Sequence, residues 1–254
     1  MTVSTVEMTQ HNTGVTWRHI CITIIATLIS ALLGIYAVIV APTGSSPGVS
    51  GLYLSAAIYV PLSLWLGMWG CLAGYFSQLI VGFMVTPFGP WNFLWALADF
   101  FEGLVVLLAF RCIKTDVDIG AELKRPNVLK IILAGLLVNL VIAAIATILN
   151  LLILLIITLI VAIGLSIVMY ILNSSRSWAI YVTFGIFAAS ISSAIIGVGI
   201  PILSGIAPIE GFWPSTFGWF AGDLIILASI STILMVFFTR HIKKLSIFVK
   251  NWFS

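Results

Sequence analysis

The chain has 254 residues, of which 61% are hydrophobic and only 7% are charged. A soluble domain carries about 25% charged residues, so this composition excludes a water-soluble fold and makes lipid the solvent for most of the surface. The net charge of +3 does not support nucleic-acid binding. Because every gap between apolar runs is short, we expect one membrane domain without an appended catalytic domain.

The apolar runs predict an all-α fold, a polytopic transmembrane helical bundle. About 20 apolar residues cross the hydrocarbon core as a helix, and four runs have roughly this length: Ile20 to Val40, Phe93 to Phe110, Ala179 to Ile200 and Phe217 to Phe238. Two longer stretches, residues 52–86 and 128–172, suit helical hairpins that turn near Gly67 and Asn150. The total is about eight spans. Six spans, with a hairpin kept as one long or re-entrant element, is the alternative.

The basic residues test this count, since Lys and Arg collect in cytoplasmic loops. With eight spans all eleven of them fall on one side, whereas the opposite loops carry a single charged residue, Glu210. We therefore expect a multi-pass protein of the plasma membrane with both termini cytoplasmic. Residues 1–17, rich in Thr and Ser, predict a flexible cytoplasmic tail, and residues 241–254 a basic cytoplasmic tail.

An internal repeat divides the chain. GCLAGYFSQLIVG, residues 70–82, matches GIFAASISSAIIG, residues 185–197, at five of thirteen positions, and WALAD then lies over WFAGD. This pattern predicts two parallel four-helix repeats, residues 18–112 and 128–240, joined by a charged cytoplasmic linker, residues 113–127. Interfaces between repeats are common ligand sites in transporters. Chance similarity between apolar helices is the alternative.

Three acidic residues lie inside predicted spans, where an ionisable group is costly and by default functional. Asp99 and Glu102 are three residues apart and share a helix face, and the repeat places Asp223 at the symmetric position. We therefore predict a shared acidic pocket near the outer face that binds a small molecule or cation. Trp95 and Trp219 lie one turn before the aspartates and are candidate pocket walls. The alternatives are carboxylates that only bond to hydroxyls or cap helices, and tryptophans of an interfacial belt.

We predict no enzymatic activity. An intramembrane aspartyl protease needs a GxGD motif, and residues 220–223 read Phe-Ala-Gly-Asp. The histidines fall in the N-terminal tail or at helix ends, and the three cysteines are far apart, so the sequence indicates neither a metal site nor a cofactor.

Two stretches of the first half, SGLYLSAAIYVPLSLWLGMWGCLAGYFSQLIVGF and ALADFFEGLVVLLAFR, resemble the eight-helix membrane-associated sensor domain found ahead of bacterial kinases and diguanylate cyclases. In the second half, SSAIIGVGIPILSGIAPIEGFWPSTFGWFAGDLIIL resembles the SA-x-x-G helix, outer loop and W-x-x-GD helix of that domain. The most specific matches are Asp99 with Glu102, and Trp219 with Gly222 and Asp223. The first half is also similar to substrate-binding subunits of energy-coupling factor transporters.

Both resemblances imply an outward-facing small-ligand site without chemistry of its own. We therefore expect a sensor-like membrane module that binds a small molecule or ion and works with a protein partner at the cytoplasmic face. A substrate-binding subunit of an energy-coupling factor type transporter is the first alternative. A structural subunit of a membrane complex is the second.

Overall fold

A computed structural model describes residues 17–42, 48–121, 125–173 and 175–253. The helices in chain order are α1 (Trp17–Val40), α2 (Ala56–Leu66), α3 (Met68–Val85), α4 (Trp91–Trp95), α5 (Leu97–Ile113), α6 (Pro126–Ile148), α7 (Leu152–Asn173), α8 (Arg176–Ile180), α9 (Ala189–Leu203), α10 (Phe212–Ile226) and α11 (Thr232–Ile242). Two π-helical segments, Tyr181–Ala188 and Leu227–Ser231, join α8 to α9 and α10 to α11. The all-α prediction is confirmed. The predicted flexible tail lies outside the described residues, apart from Trp17 at the start of α1.

Seven helices among the described residues are long and apolar enough to cross a membrane: Trp17–Val40, Met68–Val85, Trp91–Ile113, Pro126–Ile148, Leu152–Leu172, Arg176–Leu203 and Ile209–Ile242. The remaining predicted span corresponds to α2, which has 11 residues. A helix of that length is about 16 Å long, roughly half the thickness of the hydrocarbon core. The prediction of a multi-pass membrane protein is confirmed. The seven long segments and α2 together match the eight predicted spans, but α2 is too short to count as an eighth full span.

The side chains that point away from the bundle are apolar. Leu32 on α1, Ile131 on α6 and Ile153 on α7 are each about 70% exposed or more. Several acidic and hydroxyl side chains are instead buried between the helices. Polar groups inside and apolar groups outside are what a bundle in lipid requires.

Both predicted hairpins are present. The first turns at Gly67, whose φ of +64° is a conformation that favours glycine. Beyond the turn, α2 and α3 approach so closely that a Cβ on Gly70 would lie 2.1 Å from the backbone nitrogen of Ser63. The second hairpin turns at Asn150, between the end of α6 at Ile148 and the start of α7.

The C-terminal segment, residues 246–253, folds back onto the turn between α2 and α3. The Val249 N–H donates to the Trp65 carbonyl at 2.9 Å, and the Trp252 carbonyl accepts from the Met68 N–H at 2.8 Å. These bonds satisfy backbone groups that the break in the helix leaves without intrahelical partners. Most of the predicted basic tail therefore packs on the protein's own hairpin.

Helix α5 contributes a side chain to the same contact. The Arg111 guanidinium donates from Nε to the Asn251 carbonyl at 2.9 Å and from Nη2 to the Val249 carbonyl at 2.7 Å. The Trp69 indole N–H lies 3.4 Å from the Phe253 carbonyl. The last residues of the chain thus join α3 and α5 at one end of the bundle.

The predicted linker meets the end of α11 at this side. Lys243 Nζ lies 2.6 Å from a carboxylate oxygen of Asp116, and Arg240 Nε lies 3.8 Å from one of Asp118. Partial burial raises the pKa of Asp116, but the hydrogen bonds from Lys243 and from the Asp118 backbone outweigh this effect and leave the pKa below its usual value. These ion pairs tie the middle of the chain to the last helix.

Candidate functional site

The structure brings together all five residues that the sequence singles out. Asp99 and Glu102 lie one turn apart on α5, and both interact electrostatically with Asp223 on α10. The three side chains are fully buried, and we call them the carboxylate cluster. They lie within the bundle and do not line an open vestibule.

Two tyrosine hydroxyls contact the carboxylates of α5. Tyr53 Oη donates to Gln78 Oε1 at 2.7 Å and lies 3.2 Å from Asp99 Oδ2. Tyr59 Oη, on α2, donates to Glu102 Oε2. Because a hydroxyl carries one hydrogen, Tyr53 donates either to Gln78 or to Asp99 at any one time.

A short chain of hydrogen bonds reaches the third carboxylate. The Trp219 indole N–H donates to Ser193 Oγ at 2.7 Å, and the Ser193 hydroxyl donates to Asp223 Oδ2 at 2.8 Å. Asp223 and Glu102 also interact electrostatically across the two helices. A proton or a cation between them would therefore bind both.

The two candidate tryptophans face each other beside the cluster. The rings of Trp95 and Trp219 are 6.1 Å apart in an edge-to-face arrangement, and both side chains are buried. The interfacial-belt interpretation is therefore wrong for this pair, although it suits an exposed residue such as Trp213. A Cβ on Gly82 would lie 3.2 Å from the Trp95 ring, and one on Gly197 would lie 2.5 Å from the Trp219 ring. Each indole thus rests on a glycine.

Each of the three carboxyl groups keeps one oxygen without a hydrogen-bond partner in the structure: Asp99 Oδ1, Glu102 Oε1 and Asp223 Oδ1. Within the described ranges, the ion pairs of Lys and Arg join Arg240 to Asp118 and Lys243 to Asp116, far along the chain from the cluster. The described residues also contain no group of three or more His, Cys, Asp or Glu arranged to hold a metal ion. Buried carboxylates in proteins are normally paired, so these three have unmet binding capacity.

Residues 48–55, which we call the re-entrant segment, run from near the end of α1 into the bundle. Val49, Ser50, Tyr53 and Ser55 are all buried. The sequence predicts an outer loop at residues 41–51, and the structure buries residues 49–51 of it against the helices. The segment is uncharged and half apolar, and such a composition suits either a membrane helix or a buried loop.

Sequence reasoning missed the hydrogen-bond partners of the carboxylates. Ser193 donates to Asp223, and Gln78 accepts from Tyr53 beside Asp99. These two residues occupy equivalent positions in the internal alignment, immediately after its matched serines, Ser77 and Ser192. That equivalence was a signal for both residues. The hydroxyls of Tyr53 and Tyr59 carried no such signal, since aromatic residues are common throughout the chain.

Comparisons of the chain with protein-family models, with curated proteins and with solved structures give no match.

Proposed function

We propose that the chain is a membrane-embedded binding module whose carboxylate cluster takes a small cation or a positively charged small molecule. The observation that carries this proposal is the set of three fully buried carboxyl groups, each with an unpartnered oxygen. Burying such groups costs free energy unless a proton or a cation compensates them. A fold that only needed a stable core would gain by replacing them with apolar side chains.

The surrounding rings favour a ligand with a positive charge. Trp95 and Trp219 are beside the cluster, and the Tyr53 ring lies 6.2 Å from that of Trp219. Aromatic faces attract cations, and the attraction is strongest where water is excluded. Carboxylate oxygens together with indole and phenol rings therefore suit an amine or a similar organic cation.

The location of the cluster fits a site between two related halves. α5 closes the first predicted repeat, and its Asp99 follows Trp95 at the end of α4 by four residues. In the second repeat α10 carries Trp219 and Asp223 at the same spacing. In each half the tryptophan also rests on a glycine at an equivalent position of the internal alignment, Gly82 or Gly197. These pairings support parallel repeats with a ligand site at their interface.

The proposal also includes the orientation of the chain in the membrane and the end of the bundle at which a protein partner binds. The distribution of Lys and Arg supports cytoplasmic termini in the plasma membrane. In that orientation the site lies nearer the outer face. The linker and the end of α11 meet at the opposite end, through the ion pair between Asp116 and Lys243. We place the protein partner of a sensor-like module there, and we assign no enzymatic activity to the chain itself.

The test is ligand-induced stabilisation of the purified protein in detergent. Sodium, potassium, ethylammonium and tetramethylammonium chlorides are added in turn, and the melting temperature is measured at constant ionic strength. At least one cation is expected to raise the melting temperature of the wild-type chain. At a concentration of 100 times its Kd, a cation that binds only the folded state adds about 2.7 kcal/mol to the free energy of unfolding. The same cation is expected to have no effect on Asp223→Asn, because the substitution removes a carboxylate from the cluster.

Glu210→Gln is the matched control, since Glu210 is an exposed carboxylate outside the cluster. This variant is expected to respond as the wild type does. A response that persists in Asp223→Asn, or one that Glu210→Gln also abolishes, would place the cation elsewhere.

A further inference from the structure

The re-entrant segment packs against both tryptophans of the site: Gly48 lies against the Trp95 ring, and the Tyr53 ring is 6.2 Å from that of Trp219. Val49 packs with Trp95, Trp219 and Ala194 in one buried apolar group. Gly48 has a φ of +76°, and a Cβ at this position would lie 2.3 Å from the Trp95 ring. Only glycine allows the chain to pass this close to the indole.

The segment also lies directly over the helix that carries Asp223. A Cβ on Gly222 would lie 2.8 Å from the carbonyl oxygen of Ser50 and from the carbonyl carbon of Gly51. The backbone of the segment therefore contacts the backbone of α10 one residue before the carboxylate. No side chain larger than hydrogen fits between them.

One end of the segment is held by a few hydrogen bonds to α1. Ser50 Oγ lies 3.0 Å from the Ala37 carbonyl and 3.1 Å from the Ala41 carbonyl, and the Gly51 N–H donates to Ala41 at 3.0 Å. These bonds are local and join residues near one end of a single helix. They can break without separating the helices of the bundle from one another. Ser55 anchors the opposite end of the segment, since its hydroxyl donates to the Ser30 carbonyl of α1 at 2.8 Å and lies 3.2 Å from Ser77 Oγ of α3.

At its other end the segment places a donor on the cluster. The Tyr53 hydroxyl lies 3.2 Å from Asp99 Oδ2, which is the kind of contact that the N–H of a bound amine would make. Tyr53 thus fills one of the acceptor positions on Asp99 that a bound amine would use.

We infer that the re-entrant segment is a gate, which fills the site when no ligand is bound and withdraws to admit the ligand from the end of the bundle where α1 ends. This inference rests on the proposed function for the identity of the site. The gate itself requires only that the segment moves while the helices remain folded. Its movement is therefore measurable without any ligand.

The test uses a cysteine as a reporter of access. Cys21, Cys71 and Cys112 are replaced by alanine, and Ala194→Cys places a thiol behind the segment, at a position that is fully buried. The rate of labelling by a water-soluble maleimide is then measured with and without Gly48→Ala. Since alanine strains the backbone here and overlaps Trp95, Gly48→Ala is expected to speed labelling about tenfold or more.

Gly205→Ala is the matched control, because Gly205 has a φ of +71° but no heavy atom within 4 Å of an added Cβ. It carries the same backbone penalty without the overlap and is expected to leave the labelling rate unchanged. Ser50→Ala, which removes the hydroxyl bonds to α1, is expected to speed labelling as well. If Gly48→Ala does not fold, the labelling rate of Ser50→Ala tests the gate in its place.

Two results would overturn the gate. One is slow labelling of Ala194→Cys in every folded variant of the segment, which would make residues 48–55 a fixed part of the core. The other is labelling of Ala194→Cys at the rate of a fully exposed thiol while the segment is unaltered. Either result leaves the cation-binding test on Asp223→Asn untouched, so failure of the gate and failure of the proposed site are distinguishable.

Discussion

Gly70→Ala is expected to lower the melting temperature of the protein by about 6–12 °C. Overpacking costs about 3 kcal/mol of stability, and each kcal/mol shifts the melting temperature of a chain of this size by about 2–4 °C. The physical reason is a contact between two backbones. An added Cβ would lie 2.1 Å from the Ser63 nitrogen and 2.3 Å from the Leu62 carbonyl carbon. A backbone cannot rotate away as a flexible side chain can, so α2 and α3 must separate.

The separation is expected to reach the site, since Tyr59 on α2 donates a hydrogen bond to Glu102. Gly164→Ala is the control, because Gly164 also lies inside a membrane helix, α7, and a Cβ there would meet nothing within 4 Å. Thermal unfolding of both variants in the same detergent measures the difference. Equal melting temperatures for the two would show that the hairpin of α2 and α3 is not packed as described.

Asp223→Asn is expected to raise the melting temperature of the ligand-free protein by roughly 2–12 °C. The gain is about 1–3 kcal/mol, from relieving the buried Oδ1 that has no hydrogen-bond partner. The amide keeps the acceptor for the Ser193 hydroxyl, which lies 2.8 Å from Asp223 Oδ2. Its NH₂ group also supplies a donor toward Glu102, where the carboxylate has none. Stability gained by removing a functional group is the expected pattern at a binding site.

Asp118→Asn is the matched control, because Asp118 is also buried but pairs with Arg240. Removing that charge is expected to lower the melting temperature or leave it unchanged. If Asp223→Asn also destabilises the protein, then the carboxylate belongs to a satisfied structural network. The binding proposal would then lose its main support.

Much of the fold is predictable from the sequence, because a helix that crosses lipid must be both long and apolar. Helix length and apolar composition predict the long spans, and the turns at Gly67 and Asn150 follow from local chain chemistry. The short α2 does not follow. Residues 52–55 are as apolar as the helix after them, and hydropathy does not distinguish a helix from a segment folded into the bundle.

The site is predictable only in part. A buried charge is conspicuous in an apolar chain, so Asp99, Glu102 and Asp223 stand out, and the spacing of the first two places them on one face. Which way that face points is a tertiary property, because a helix that is apolar all round gives no inward direction. The position of Tyr53 depends on the path of the re-entrant segment, which begins in the predicted outer loop, residues 41–51.

The most direct test of the account is native mass spectrometry of the protein released from its own membranes, in which bound small molecules appear as added mass. The wild-type chain is expected to carry a small molecule that the double variant Asp99→Asn, Asp223→Asn lacks. Glu210→Gln is expected to retain it. Identical spectra for the wild type and the double variant would contradict the claim that the carboxylate cluster binds a ligand.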